Sequence, residues 1–166
     1  MTPEAANLPH QQDYYLAQIN IARMKAPLDD PIMAEFANAL DEVNAVAEQS
    51  PGFVWRLQTP SGNATDIRVY SDPKILVNLS LWQSVEPLKA YVYKSLHGDF
   101  FIRRRNWFEK YQGEHFGMWW VPAGHLPTAE EGKAKLEHLE QYGESLECFT
   151  FAKSYPMPIV GRSQIS

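Results

Sequence analysis

Arg104 stands inside Phe100 to Tyr111 (FFIRRRNWFEKY), a stretch whose spacing predicts a helix. At about 100° per residue, Phe100, Phe101, Trp107, Phe108 and Tyr111 share one face, with Arg104 at its centre. A guanidinium on an aromatic face needs a partner, because an unpaired buried charge is costly. It can project into a pocket and hold an anionic or enolate-like ligand. It can equally be tied to a carboxylate or stacked on Trp107. Arg103 and Arg105 fall on the flanks and read as solvated. His97 lies just upstream, at a helix–loop junction beside Gly98-Asp99. Two roles suit it: a general base near neutral pH, or a cap on the carbonyls of a helix C-terminus. If the chain bends at Gly98, His97 and Arg104 line one pocket, and these two are the expected catalytic residues.

Aromatic side chains are the second resource. Trp82, Tyr91, Phe101, Trp107, Phe108, Trp119 and Trp120 are the expected substrate-binding residues of a pocket for a flat, hydrophobic molecule. Core or interface packing is the alternative for each. Trp119 and Trp120 are adjacent in a strand pattern and must face opposite sides of a sheet.

Other chemistries find no support. The chain has no G-x-G-x-x-G, no P-loop and no G-x-S-x-G. His115 and His125 are not paired at a metal-binding spacing with another histidine, so no metal is expected. Cys148 is the single cysteine, which excludes a disulfide framework and any Cys-based cluster within one chain. It reads as a small hydrophobe.

The elements that must position these residues follow from periodicity. Tyr14 to Met24 alternates, with Tyr15, Ala17, Ile19 and Ile21 on one face and Gln18 and Asn20 on the other. Asp30-Pro31 is an N-cap followed by an N1 proline, and Met33, Phe36, Leu40, Val43 and Ala47 then form a helical stripe that ends at Ser50-Pro51-Gly52. Phe53 to Gln58 and Ile75 to Trp82 are strands, the latter with Asn78 and Ser80 opposite its apolar face. Val85, Leu88 and Val92 mark a helix capped by Ser84. His115 to Val121 is a fourth strand. Thr128 and Glu131 have capping-box spacing before a helix that ends at Gly143, and Cys148 to Lys153 is a fifth strand.

This order gives an α+β fold: a ferredoxin-like βαββαβ core with an extra C-terminal helix and strand. Residues 1–12 and 156–166 read as tails around a single domain, 13–155. Helices are expected on one sheet face. The other carries Gln18, Asn20, Arg56, Asn78 and Ser80, together with Trp82 and one of Trp119 or Trp120. A partner sheet in a homodimer would bury those indoles.

Composition limits the setting. The net charge of −5 argues against nucleic-acid binding, and no apolar run approaches a membrane span. The N-terminus, MTPEAANLPHQQD, lacks a secretory pattern, so a cytoplasmic protein is expected.

Two motifs carry a resemblance. Trp82-Gln-Ser84-Val-Glu86-Pro-Leu88, with His97 further on, is similar to the strand-to-helix segment of dimeric α+β-barrel proteins, among them the antibiotic-biosynthesis monooxygenases. Arg103-Arg-Arg-Asn-Trp107-Phe108, followed by Trp119-Trp120-Val-Pro122-Ala-Gly124-His125-Leu-Pro127-Thr128, resembles the DUF3291 family of that superfamily. The resemblance spans roughly Tyr14 to Phe151. It implies a dimer whose two sheets form a barrel, and it does not imply one reaction. The expected function is a cofactor-independent, monooxygenase- or isomerase-like enzyme acting on an aromatic or polyketide-like compound. One alternative, also implied by the resemblance, is a haem protein with His97 as axial ligand. Another is a non-catalytic ligand-binding or structural dimer.

Overall fold

The computed structural model describes residues 12–58, 69–96, 103–110 and 113–158. Strand β1 (Tyr14–Met24) is the axis of the sheet. A 3₁₀ turn (Pro31–Met33) leads into helix α1 (Ala34–Glu48), and Asp30 caps the turn by accepting from the Ile32 amide. Strands β2 (Phe53–Arg56) and β3 (Ile75–Trp82) precede helix α2 (Val85–Leu96). A second 3₁₀ turn (Arg103–Asn106), short strand β4 (Phe108–Glu109), strand β5 (Phe116–Pro122) and helix α3 (Ala129–Tyr142) complete the order.

The five strands form one antiparallel sheet. β3 lies between β2 and β1, and β5 and β4 share the far edge of β1. The register pairs Gln18 with Ser80 and Asn20 with Asn78, and it sets Leu16 between Trp82 and Trp120. One face is therefore apolar throughout: Ala17, Ile19, Ile21, Val77, Leu79, Leu81, Trp119 and Val121 are all buried there. The other face is mixed, with apolar residues at its two ends and polar ones in the middle.

Helix placement corrects one expectation. α1 and α2 lie on the mixed face, where Phe36 packs with Met24 and Leu88 packs with Leu16 and Trp82. α3 covers the apolar face through Ala129, Leu136 and Leu139. Side-chain alternation tells which residues share a face. The hand of the crossovers decides which face receives the helices, and both crossovers join parallel strands across an antiparallel neighbour. The argument that a partner sheet must cover the indoles also falls. Trp82 and Trp119 are buried within one chain, and the Trp120 indole donates to the Tyr155 carbonyl at 3.0 Å.

Two predicted elements are also corrected. Phe100 to Tyr111 is not one helix: Arg103–Asn106 is a 3₁₀ turn, and Phe108 and Glu109 pair with Met24 and Arg23. The open edge of β1 captures this backbone, overriding the helical spacing of its side chains. Cys148 to Lys153 is not a strand. Phe149 forms one bridge to Met118, and the chain then turns, because the Glu144 carboxylate accepts from both the Thr150 amide and hydroxyl.

Thr128 caps α3 as expected, its hydroxyl accepting from the Glu131 amide at 3.1 Å. The Glu131 carboxylate is taken up elsewhere, by the Trp119 indole at 3.0 Å and by His125 Nε2 at 2.7 Å. Thr128→Ala is expected to cost about 1 kcal/mol in chemical denaturation. An unchanged midpoint would show that α3 does not depend on this cap. Among the described residues no helix is long and apolar enough to cross a membrane.

Candidate functional site

The mixed face reads as rows across the sheet. The first row, Trp120–Leu16–Trp82–Phe53, is walled by α2. Trp82 meets Phe53 edge-on at 5.4 Å and Tyr91 at 5.2 Å, and burial raises the Tyr91 phenol pKa. At the other end Met24 and Leu76 meet Met33, Phe36, Trp107 and Phe108. The middle rows hold Met118, Gln18, Ser80 and Arg56, then Phe116, Asn20 and Asn78, so they are polar on β1 and β3 and apolar on β5.

Four of these polar side chains bond to one another. Gln18 Nε2 donates to Asn78 Oδ1 at 2.7 Å and to Ser80 Oγ at 2.8 Å. Asn20 Nδ2 donates to Gln18 Oε1 at 3.1 Å and to Asn78 Oδ1 at 3.3 Å. Trp82 Nε1 adds a bond to Ser80 Oγ at 2.9 Å. This quartet is uncharged. The nearest cation in the rows, Arg56, is held by Glu48 of α1 at 2.7 Å.

The quartet lies on the sheet face that also carries α1 and α2. Gln18 and Ser80 are buried, yet Asn78, on the same face and between β1 and the β2 side, is exposed. The helices above are thinly packed. The stripe predicted for α1 is buried only at Met33 and Phe36, while Leu40, Val43 and Ala47 stay half-buried. In α2 Leu88 is the one buried residue among those described, with Val85 and Val92 half-buried. Apolar positions of both helices on this side of the sheet thus stay half-buried.

The predicted site residues divide. Trp82 and Tyr91 pack together at the α2 end of the mixed face. Trp107 and Phe108 form the cluster at its other end, with the Arg103 guanidinium 5.5 Å from the Trp107 ring centre and paired to Glu35. Trp120 stands on the same face at the β5 edge, whereas Trp119 points to the apolar face. Arg104 is half-buried in the 3₁₀ turn, not at the centre of a helical face. His97 and Phe101 lie outside the described residues, as does any contact between His97 and Arg104. Among the described residues no group of three or more His, Cys, Asp or Glu side chains converges on a metal-sized site. Cys148 is buried and its thiol is pushed up to about 12, chiefly by that burial, so it is no nucleophile.

The family model for a domain of unknown function, DUF3291, matches residues 15–164. The chain belongs to this family. No curated protein and no solved structure gives a significant match. What a DUF3291 chain does must therefore be argued from its own geometry. The Gln18–Asn20–Asn78–Ser80 quartet carries that argument, and sequence reasoning had set it on a face awaiting a partner sheet. The signal was present as parity: both central strands carry paired polar residues opposite their apolar face.

Proposed function

We propose that this DUF3291 chain binds a hydrophobic, aromatic small molecule in the cleft between the sheet and helices α1 and α2. The observation that carries this reading is an exposed Asn78 beside buried Gln18 and Ser80, beneath helix stripes that remain half-buried. Aromatic walls at both ends suit a flat ligand, and the polar floor can orient it. The strand order β2-β3-β1-β5, with two helices on one face, supports a ferredoxin-like subunit. The enzymatic form of the reading is cofactor-independent. It assigns a proton transfer to His97 and a developing anion to Arg104.

The test is occlusion. Asn78→Trp places an indole at an exposed position over the quartet and gives up the bond from Gln18 Nε2, which keeps its bond to Ser80 Oγ. Nile red, a neutral planar dye, is expected to bind the wild type saturably and the variant at least about tenfold more weakly, a loss of about 1.4 kcal/mol. The variant should stay folded, with a stability loss of about 1–2 kcal/mol for the donors left without Asn78. Equal affinity in the two folded proteins would remove the cleft as the site.

A further inference from the structure

Residues 150–158 leave β5 and return to it without forming a ladder. Phe149 bridges to Met118 of β5, and the chain then turns. The Lys153 amide donates to the Thr150 carbonyl at 3.2 Å, and the Ala152 amide to the Thr150 hydroxyl at 3.1 Å. Pro156 and Pro158 carry no amide proton, so the returning segment is poor in the donors that a ladder needs.

What returns is pinned at few points. The Tyr155 carbonyl accepts from the Trp120 indole at 3.0 Å. The Tyr155 ring lies 5.4 Å from that of Phe149, and its hydroxyl reaches the Glu144 carbonyl at 3.4 Å. Phe151 packs on Phe116 at 5.1 Å. Ala152, Lys153, Ser154 and Pro156 are exposed. Beneath this segment β5 presents Phe116, Met118 and Trp120 to the mixed face, and Phe151 and Tyr155 pack against the cluster that holds Leu16 and Met118. An apolar strip is thus covered by a segment of few contacts, and such a segment opens at lower cost than the whole domain.

We propose that residues 150–158 are a strap latched by the Trp120–Tyr155 bond, and that its opening admits the hydrophobic ligand to the mixed face from the β5 side. The inference rests on the binding reading above and adds the route of entry. Opening gives up the indole bond and the ring contacts of Phe151 and Tyr155. It uncovers an apolar strip that a flat hydrophobic molecule covers again, so such a ligand favours the open strap. A strongly charged ligand loses its hydration there and gains no such contact.

The test follows strap opening and ligand entry separately in the folded full chain. Trp120→Phe keeps a ring in the strip and removes the N–H of the latch, and Tyr155→Ala loosens the strap from its own side. Trypsin reports opening through cleavage after Lys153, which is exposed but lies in the turn that must leave the surface. That cleavage is expected to be about fivefold faster in Trp120→Phe than in the wild type, the effect of one lost hydrogen bond on local opening. Nile red association, followed by stopped flow, should quicken in both variants, by about fivefold in Trp120→Phe. Unchanged cleavage in Trp120→Phe would overturn the latch. Faster cleavage with an unchanged association rate in either variant would overturn the strap as the entry route and leave the binding reading standing. No saturable Nile red binding by the wild type or either variant would overturn that reading and this inference together.

Discussion

Trp107→Ala is expected to cost about 4 kcal/mol of folding stability, the range found when a buried aromatic is truncated to alanine. The indole is fully buried and holds together the cluster that anchors α1. Phe36 packs on it at 5.8 Å, and the Arg103 guanidinium stands 5.5 Å from its centre. Its carbonyl accepts from the Lys25 amide at 2.8 Å, joining the chain before β4 to the end of β1. α1 has little else to hold it: within the helix itself Phe36 is the only buried residue. Losing the indole therefore loosens the helix as well as leaving a cavity. The signature is coupling. Phe36→Ala should cost less in the Trp107→Ala background than alone, because the two residues share one cluster. A loss below about 1 kcal/mol would instead make Trp107 a wall residue with little core role.

This expectation separates two ideas that the sequence fuses. An aromatic residue near a basic run is as consistent with a pocket as with a core, and periodicity cannot tell them apart. β1 and β3 were legible to the residue because each alternates strictly and each has a fully buried face. Asp30 and Thr128 were legible because side-chain caps act over two or three residues. Phe100 to Tyr111 was not. Its spacing is helical, but the free end of β1 offers backbone partners that no local pattern reveals. The quartet was half-legible. Parity shows that Gln18 and Asn20 share a face, and likewise Asn78 and Ser80. Their assembly needs the register, which pairs residues 58 or 62 positions apart. Only the placement of α1 and α2 shows that the helices share a face with this polar patch.

The α2 wall of the cleft depends on a glycine, and Gly52→Ala is expected to cost about 3 kcal/mol. Two effects combine. Gly52 has φ of +82°, a conformation that an L side chain adopts at a cost of roughly 1–2 kcal/mol. A Cβ there would also stand 2.6 Å from Cγ of Pro87 and closer still to its Cβ. Pro87 is in the first turn of α2, where a proline is tolerated and its ring is fixed. The Gly52 carbonyl meanwhile accepts from the Gln83 amide at 2.8 Å, so the turn before β2 and the start of α2 are tied twice. Relief by displacement would carry α2 away from the sheet and with it Tyr91, which stacks on Trp82. Pro87→Gly in the Gly52→Ala background removes both clashing carbons; measured against Pro87→Gly alone, it should recover the steric share and leave the backbone share, a partial rescue of about 1–2 kcal/mol. Full rescue would assign the whole cost to the ring, and no rescue would assign it to φ. A cost under about 0.5 kcal/mol for Gly52→Ala alone would mean that neither contact fixes α2 over the cleft.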